Sequence, residues 1–204
     1  MNCSFGGMNY LAHAYLSFDH PGILVGNMVS DFVKGAAKFS FNGIIQQGIN
    51  LHREIDSFTD THPATREAKS VFQPAYRLYS GVIMDVLYDH FLANDPEHFD
   101  PESLRLFTSR TYQQLEDNAQ HLPPRFLQVL AYMKTEDWLF HYRSTSGIRQ
   151  SLNGLVRRAA FLTESTTAYN LFIENYVSLK DCYQAFFPDV KLFAKQKFEA
   201  MDNI

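Results

Sequence analysis

The chain has 204 residues, enough for a single domain that buries roughly 70% of the surface its unfolded form exposes, so the fold needs no disulfide or metal staple. Two cysteines, Cys3 and Cys182, form no disulfide framework and suit a reducing, cytoplasmic setting; no apolar run approaches the ~20 residues of a membrane span, and the N-terminus lacks the features of a signal peptide. The net charge of −4 argues against general nucleic-acid binding, but it is unevenly spread, with 6 Lys/Arg against 11 Asp/Glu in residues 1–100 and 12 against 11 thereafter.

In chain order, residues 1–7 carry no periodicity and read as a leader, with one domain expected over 8–204. Asn9 to Ser17 reads as a short apolar helix carrying His13, broken by Asp19-His20-Pro21-Gly22. Pro21 suits the first turn of a second helix through Met28 and Phe32 to Lys34, with Gly35 as its C-cap. Asp31 falls in the last turn of that helix, where an acid opposes the macrodipole and calls for a cation nearby. Asn42 is positioned to cap a third helix holding Leu51-His52-Arg53-Glu54-Ile55-Asp56-Ser57-Phe58-Thr59-Asp60, and Thr61 or His62 before Pro63 starts the fourth. Pro74 marks the boundary to a helix over 75–93, whose apolar positions embed Asp85, Asp89 and His90.

The second half is also helical. Asp100-Pro101 and Pro123-Pro124 open two helices, and Thr145 or Ser146 caps another. Tyr169, Phe172, Tyr176, Leu179, Tyr183 and Phe186 form an aromatic stripe read as core, and Pro188 restarts a last helix. About ten helices and no convincing strand pair give an all-α, single-domain bundle. Residues 134–158 hold five bases, Lys134, Arg143, Arg149, Arg157 and Arg158, against two acids, Glu136 and Asp137, a modest basic zone that suits either a solvated face or an anionic partner.

His52, Asp56 and Asp60 are each four residues apart, so in a helix they line one face, roughly 6 Å per step. Together with His13, Asp31, Asp85, Asp89 and His90 they form a constellation spread over four helices. Carboxylates inside otherwise apolar helices are costly unless a cation or proton pairs them. Mixed imidazole and carboxylate donors without clustered thiols suit Mn²⁺, Fe²⁺ or Zn²⁺, and a bundle interior is a natural place for such a centre. The row spans two turns, roughly 12 Å, too long for one ion to bind all three. His52 is therefore expected on the metal, Asp56 beside it, and Asp60 at the rim or on a second ion.

Four ordered motifs, Asn9-Tyr10-Leu11-Ala12-His13, Gly26-Asn27-Met28-Val29-Ser30-Asp31-Phe32-Val33-Lys34-Gly35, His52 to Asp60, and Asp85-Val86-Leu87-Tyr88-Asp89-His90-Phe91-Leu92, resemble the bacterial acyl carrier protein phosphodiesterases. Pro123-Pro124-Arg125-Phe126, Trp138 to Arg143 and Leu152-Asn153-Gly154 extend the resemblance over about Met8 to Phe198. It implies an HD-like all-α fold, a divalent metal (typically Mn²⁺, with Mg²⁺ also in range), and hydrolysis of the phosphodiester joining 4′-phosphopantetheine to a serine of acyl carrier protein. His52 is followed by Arg53, so the adjacent His-Asp pair of an ordinary HD site is missing. On this resemblance His13, Asp31, His52, Asp85 and Asp89 are expected near the metal, with Asp56 as ligand or proton-transfer group and Asp60 and His90 in support. Arg53, Arg143, Arg149, Arg157 and Arg158 are candidates for holding phosphate or docking the acidic carrier. Two alternatives stay open: a metal phosphohydrolase acting on a nucleotide or other small phosphoester, and a non-enzymatic helical module that binds an acidic partner.

Overall fold

The computed structural model describes residues 10–159 and 161–201; the expected leader and Cys3 lie outside these residues. Among the described residues there are eleven α-helices, four short 3₁₀ turns and no strand. They are α1 (Tyr10–Tyr15), α2 (Pro21–Val29), α3 (Gly43–Thr61), α4 (Pro63–Tyr76), α5 (Ser80–Ala93), α6 (Pro101–Asp117), α7 (Pro124–Thr135), α8 (Trp138–His141), α9 (Thr145–Arg158), α10 (Thr166–Glu174) and α11 (Tyr176–Glu199).

The tightest crossing in the bundle is that of α2 on α3, and two glycines permit it. A Cβ on Gly26 would stand 2.2 Å from the Ile45 carbonyl oxygen, and one on Gly48 would stand 2.4 Å from that of Ile23. The two backbones therefore touch, and any larger residue at either position drives them apart. This contact matters beyond packing, because His52 follows Gly48 by one turn and Asp31 follows Gly26 by five residues. The crossing brings an imidazole and a carboxylate from different helices to one spot.

Several helix starts follow from local chemistry. Asn42 Oδ1 accepts from the Ile45 N–H at 3.0 Å, and Asp100 caps α6 by accepting from Glu102 and Ser103. His20 and His62 also serve as N-caps, through Ile23 N–H and Ala64 N–H. Ser144, rather than Thr145 or Ser146, caps α9, accepting from Gly147 N–H at 3.0 Å.

Other boundaries differ from expectation. The second helix stops at Val29 and tightens into a 3₁₀ turn over Ser30–Phe32, after which Lys34 is extended. Gly35, at φ 56°, opens a further 3₁₀ turn over Gly35–Ser40 and is not the cap of α2. Pro74 and Pro188 lie inside α4 and α11. A proline in a helix interior costs about 3 kcal/mol. Around Pro188 that cost is offset by Phe186, Phe187, Val190 and Ala194, all buried. Near the end of α4 the break falls three residues later than Pro74, where Arg77 takes φ 48°. The aromatic stripe is split at Asn175 between α10 and α11 and packs into the core: Phe172, Leu179 and Tyr183 are fully buried, Tyr169 and Tyr176 are half-buried, and Phe186 stacks on Tyr88 at 4.7 Å.

Candidate active site

Four side chains meet where α1, the α2–α3 crossing and the turn after α2 converge. His13 and His52 are both buried and their rings stack, with centroids 3.9 Å apart. Asp56, one turn beyond His52, bridges them: its Oδ1 lies 3.2 Å from His13 Nε2 and its Oδ2 lies 3.2 Å from His52 Nε2. Asp31 Oδ1 lies 3.4 Å from the same His52 nitrogen.

The protonation of His13 is fixed by Asn27, a buried residue of α2. Asn27 Nδ2 donates to the His13 carbonyl at 2.9 Å and to Ser17 Oγ at 3.1 Å, so its Oδ1 is left to accept from His13 Nδ1–H at 2.7 Å. In the neutral ring Nε2 is then a lone pair aimed at a carboxylate oxygen. Burial and the neighbouring His52 both hold the His13 pKa below its usual value, which favours that neutral ring, although Asp56 opposes them. Two acceptors facing each other at 3.2 Å require a cation or proton between them.

His52 reinforces the point. Neither of its buried ring nitrogens has an aligned hydrogen bond, despite the two carboxylates near Nε2. Burial pulls its pKa down, but Asp31 and Asp56 outweigh burial and push it up to about 10, so without a metal this ring carries the charge. Asp56 is correspondingly held well below the usual carboxylate range by the two histidines, in spite of burial. The ligand atoms of His13, His52 and Asp56 lie within 4.8 Å of one another, a geometry that fits a divalent cation.

The other expected site residues divide. Asp85, half-buried on α5 and outside the three-residue cluster, has its carboxyl pushed well up by burial and by Asp56, Asp60 and Asp31, with Lys69 opposing. Asp89, expected near the metal, is engaged by backbone amides. It is completely buried, and its two oxygens accept from the Leu11 and Ala12 N–H groups at 3.0 and 2.8 Å, which caps α1 and leaves the carboxylate committed. His90, expected in support, spends both ring nitrogens elsewhere: Nδ1–H donates to the Tyr142 carbonyl at 2.7 Å, and Nε2 accepts from Tyr176 O–H at 3.1 Å. Asp60 is exposed at the rim and pairs with Lys69 at 2.6 Å.

Arg53 donates to the Val33 carbonyl at 2.9 Å, tying down the segment that follows Asp31. Arg143 lies over the Phe140 ring at 5.3 Å and Arg149 over Tyr169 at 4.2 Å. Arg157 and Arg158 line a cavity of about 530 Å³ between α7, α8 and α9. Asn27 and the glycine pair were not singled out as site residues from the sequence. An asparagine inside the apolar run Ile23-Leu24-Val25-Gly26-Asn27-Met28-Val29 was the available signal, because a buried amide needs partners.

The model of the family described as acyl carrier protein phosphodiesterase matches residues 8–190. The chain belongs to that family. Proteins named acyl carrier protein phosphodiesterase from Yersinia pestis and from Escherichia coli O157:H7 (strain EC4115 / EHEC) are 33% and 32% identical to it over 191 residues, covering 93% of this chain and 99% of each relative. The protein of that name from Photorhabdus laumondii is 29% identical, with 93% and 96% covered. No solved structure matches. Among the described residues of this phosphodiesterase-family chain, no helix is long and apolar enough to cross a membrane.

Proposed function

We propose that the protein hydrolyses the phosphodiester between 4′-phosphopantetheine and the serine of acyl carrier protein, releasing apo-carrier and the phosphorylated arm, with a divalent metal, Mn²⁺ first, held by His13, His52 and Asp56. The observation that carries the metal reading is the lone-pair contact between His13 Nε2 and Asp56 Oδ1, with Asn27 occupying the other imidazole nitrogen. When bound there, such an ion neutralises phosphate charge and makes water acidic enough to act as a nucleophile near neutral pH.

The chain's own residues supply the rest. Asn27 holds the His13 ring in one tautomer and orientation. The α2–α3 contact at Gly26 and Gly48 sets the separation of Asp31 from His52. Asp31, half-buried and 3.4 Å from His52, would orient water or take its proton, and Asp85, whose carboxyl is pushed up by burial and by Asp56, Asp60 and Asp31, would donate one. A cytoplasmic location suits the free, buried Cys182.

Purified protein incubated with holo-acyl carrier protein and Mn²⁺ is expected to convert it to apo-carrier, seen by mass as loss of the phosphopantetheine arm. Chelator should stop the conversion and added Mn²⁺ restore it. Intact holo-carrier would overturn the substrate assignment, and turnover unaffected by chelator would overturn the metal.

A further inference from the structure

Acids crowd the face of α3 that carries the cluster. Asp31 and Asp56 stand at His52, Asp60 follows Asp56 by one turn, and Asp85 feels the charges of all three. A phosphodiester is an anion, and carboxylates repel it unless cations are set against them. One divalent ion at His13, His52 and Asp56 balances only part of that charge. The arginines expected for the task are engaged elsewhere: Arg53 donates to the Val33 carbonyl, and Arg143 and Arg149 lie over the rings of Phe140 and Tyr169. Lys197 pairs with Glu54 at 3.0 Å.

Lys69 of α4 brings an ammonium to this face. Thr65, Ala68 and Phe72 form the buried side of α4, and Lys69 lies next to it with its side chain only 15% exposed, whereas lysine heads usually reach into solvent. Two contacts fix the head. Nζ is 2.6 Å from Asp60 Oδ1 on α3. On the other side is α5, where Gly81 leaves room: a Cβ there would stand 3.5 Å from Lys69 Cε and 3.6 Å from Nζ, in ordinary van der Waals contact. The ammonium is therefore held between α3 and α5, beside a residue one turn past Asp56 on the first and one turn before Asp85 on the second, about 5.4 Å along each axis. Its charge draws the Asp85 carboxyl down against burial and the three other acids.

An ammonium has three N–H donors, and Asp60 takes one. Asp60 is 70% exposed, so the pair stands at the solvent mouth of the site and the other donors are within reach of an entering anion. We infer that Lys69 is a phosphate-binding residue of this site, donating to a non-bridging oxygen of the diester whose other side meets His13, His52 and Asp56. The inference rests on the phosphodiester-hydrolase reading above and adds to it a cation supplied by the protein. A lysine suits this place because its compact charge holds a single oxygen without the paired geometry that an arginine fork demands.

Two substitutions break the same ion pair and separate substrate binding from a contact that merely ties α3 to α4. Asp60→Ala removes the carboxylate and keeps the ammonium, whereas Lys69→Met removes the ammonium and keeps the stem. Asp60→Ala is expected to leave kcat/KM for holo-carrier within a few-fold. Lys69→Met should lower it at least thirtyfold, and Lys69→Arg should recover it to within about fivefold of wild type, all three with a native near-UV spectrum. Lys69→Gln takes the place of Lys69→Met if the latter does not fold. Calorimetric titration of the Mn²⁺-loaded protein with inorganic phosphate reads binding without turnover: the Lys69 variant should bind phosphate at least tenfold more weakly than wild type while its Mn²⁺ affinity is no lower. Equal effects of the Lys69 and Asp60 substitutions on turnover, or unchanged phosphate affinity in the folded Lys69 variant, would overturn the assignment. Failure of the wild type to cleave holo-carrier would instead overturn the carrier reading, and the phosphate titration would still decide the role of Lys69.

Discussion

Two buried ionisable clusters lie within a few residues of each other in space, and they are satisfied to opposite degrees. At Asp89 and His90 every polar atom has a partner: two backbone amides for the carboxylate, and a carbonyl and a phenol for the imidazole. At His13, His52, Asp56 and Asp31 the atoms face each other as acceptors, rings stack as potential like charges, and His52 has no aligned hydrogen bond. The first arrangement is complete without anything added and holds α1 and the α8–α9 connection in place. The second is complete only when a proton or a cation is added between its members. A carboxylate in an apolar helix is therefore no guide to function until its partners are known.

The sharpest way to break this comparison is to neutralise one member of each cluster. Asp56→Asn should lower carrier hydrolysis by about 10²-fold or more while the protein still unfolds cooperatively with a native near-UV spectrum. Asp89→Ala should instead cost about 2–5 kcal/mol in denaturant unfolding, because two buried N–H groups lose their acceptor. If Asp89→Ala proved as stable as wild type yet lost its metal, Asp89 would be a ligand and the contrast would fail.

Proton release sharpens the same contrast at intermediate size. In the metal-free protein the His52 pKa is raised above its usual value to about 10, so the ring is protonated through neutral pH, and a metal must displace that proton to bind. Binding should release about one proton, and affinity should rise about tenfold per pH unit between pH 7 and 9, levelling off above the raised pKa. Calorimetry in two buffers of different ionisation enthalpy measures this, and no proton release would place the metal elsewhere. The smallest effect is expected at the rim. Asp60→Ala breaks an exposed ion pair with Lys69 worth at most about 1 kcal/mol and should leave turnover within a few-fold. A large loss of activity there would restore Asp60 to the site.

The helices themselves were legible from the chain because their signals are local. Caps at Asn42 and Asp100, prolines at Pro21, Pro63, Pro101 and Pro124, and apolar periodicity act over three or four residues. Where local rules misled, at Pro74, Pro188 and Gly35, packing of neighbouring aromatic side chains or a 3₁₀ turn decided the outcome. The i, i+4 spacing of His52 and Asp56 placed one wall of the site for the same reason, since helical geometry makes that spacing a contact.

What the sequence by itself determined is an all-α chain whose histidines and acids recur at helical spacing, together with a set of ordered motifs specific enough to indicate the family. Which acids share the centre was decided only by tertiary structure. Asp85 and Asp89 occupy the same helix one turn apart and look alike as letters, but one feels the charges of Asp56 and Asp31 while the other is claimed by the amides of a helix more than 70 residues earlier. The physical reason is that a buried carboxylate takes its role from whichever donors the fold brings to it. Here those donors come from α1, while a backbone contact at Gly26 and Gly48 that no residue spacing announces brings Asp31 to His52.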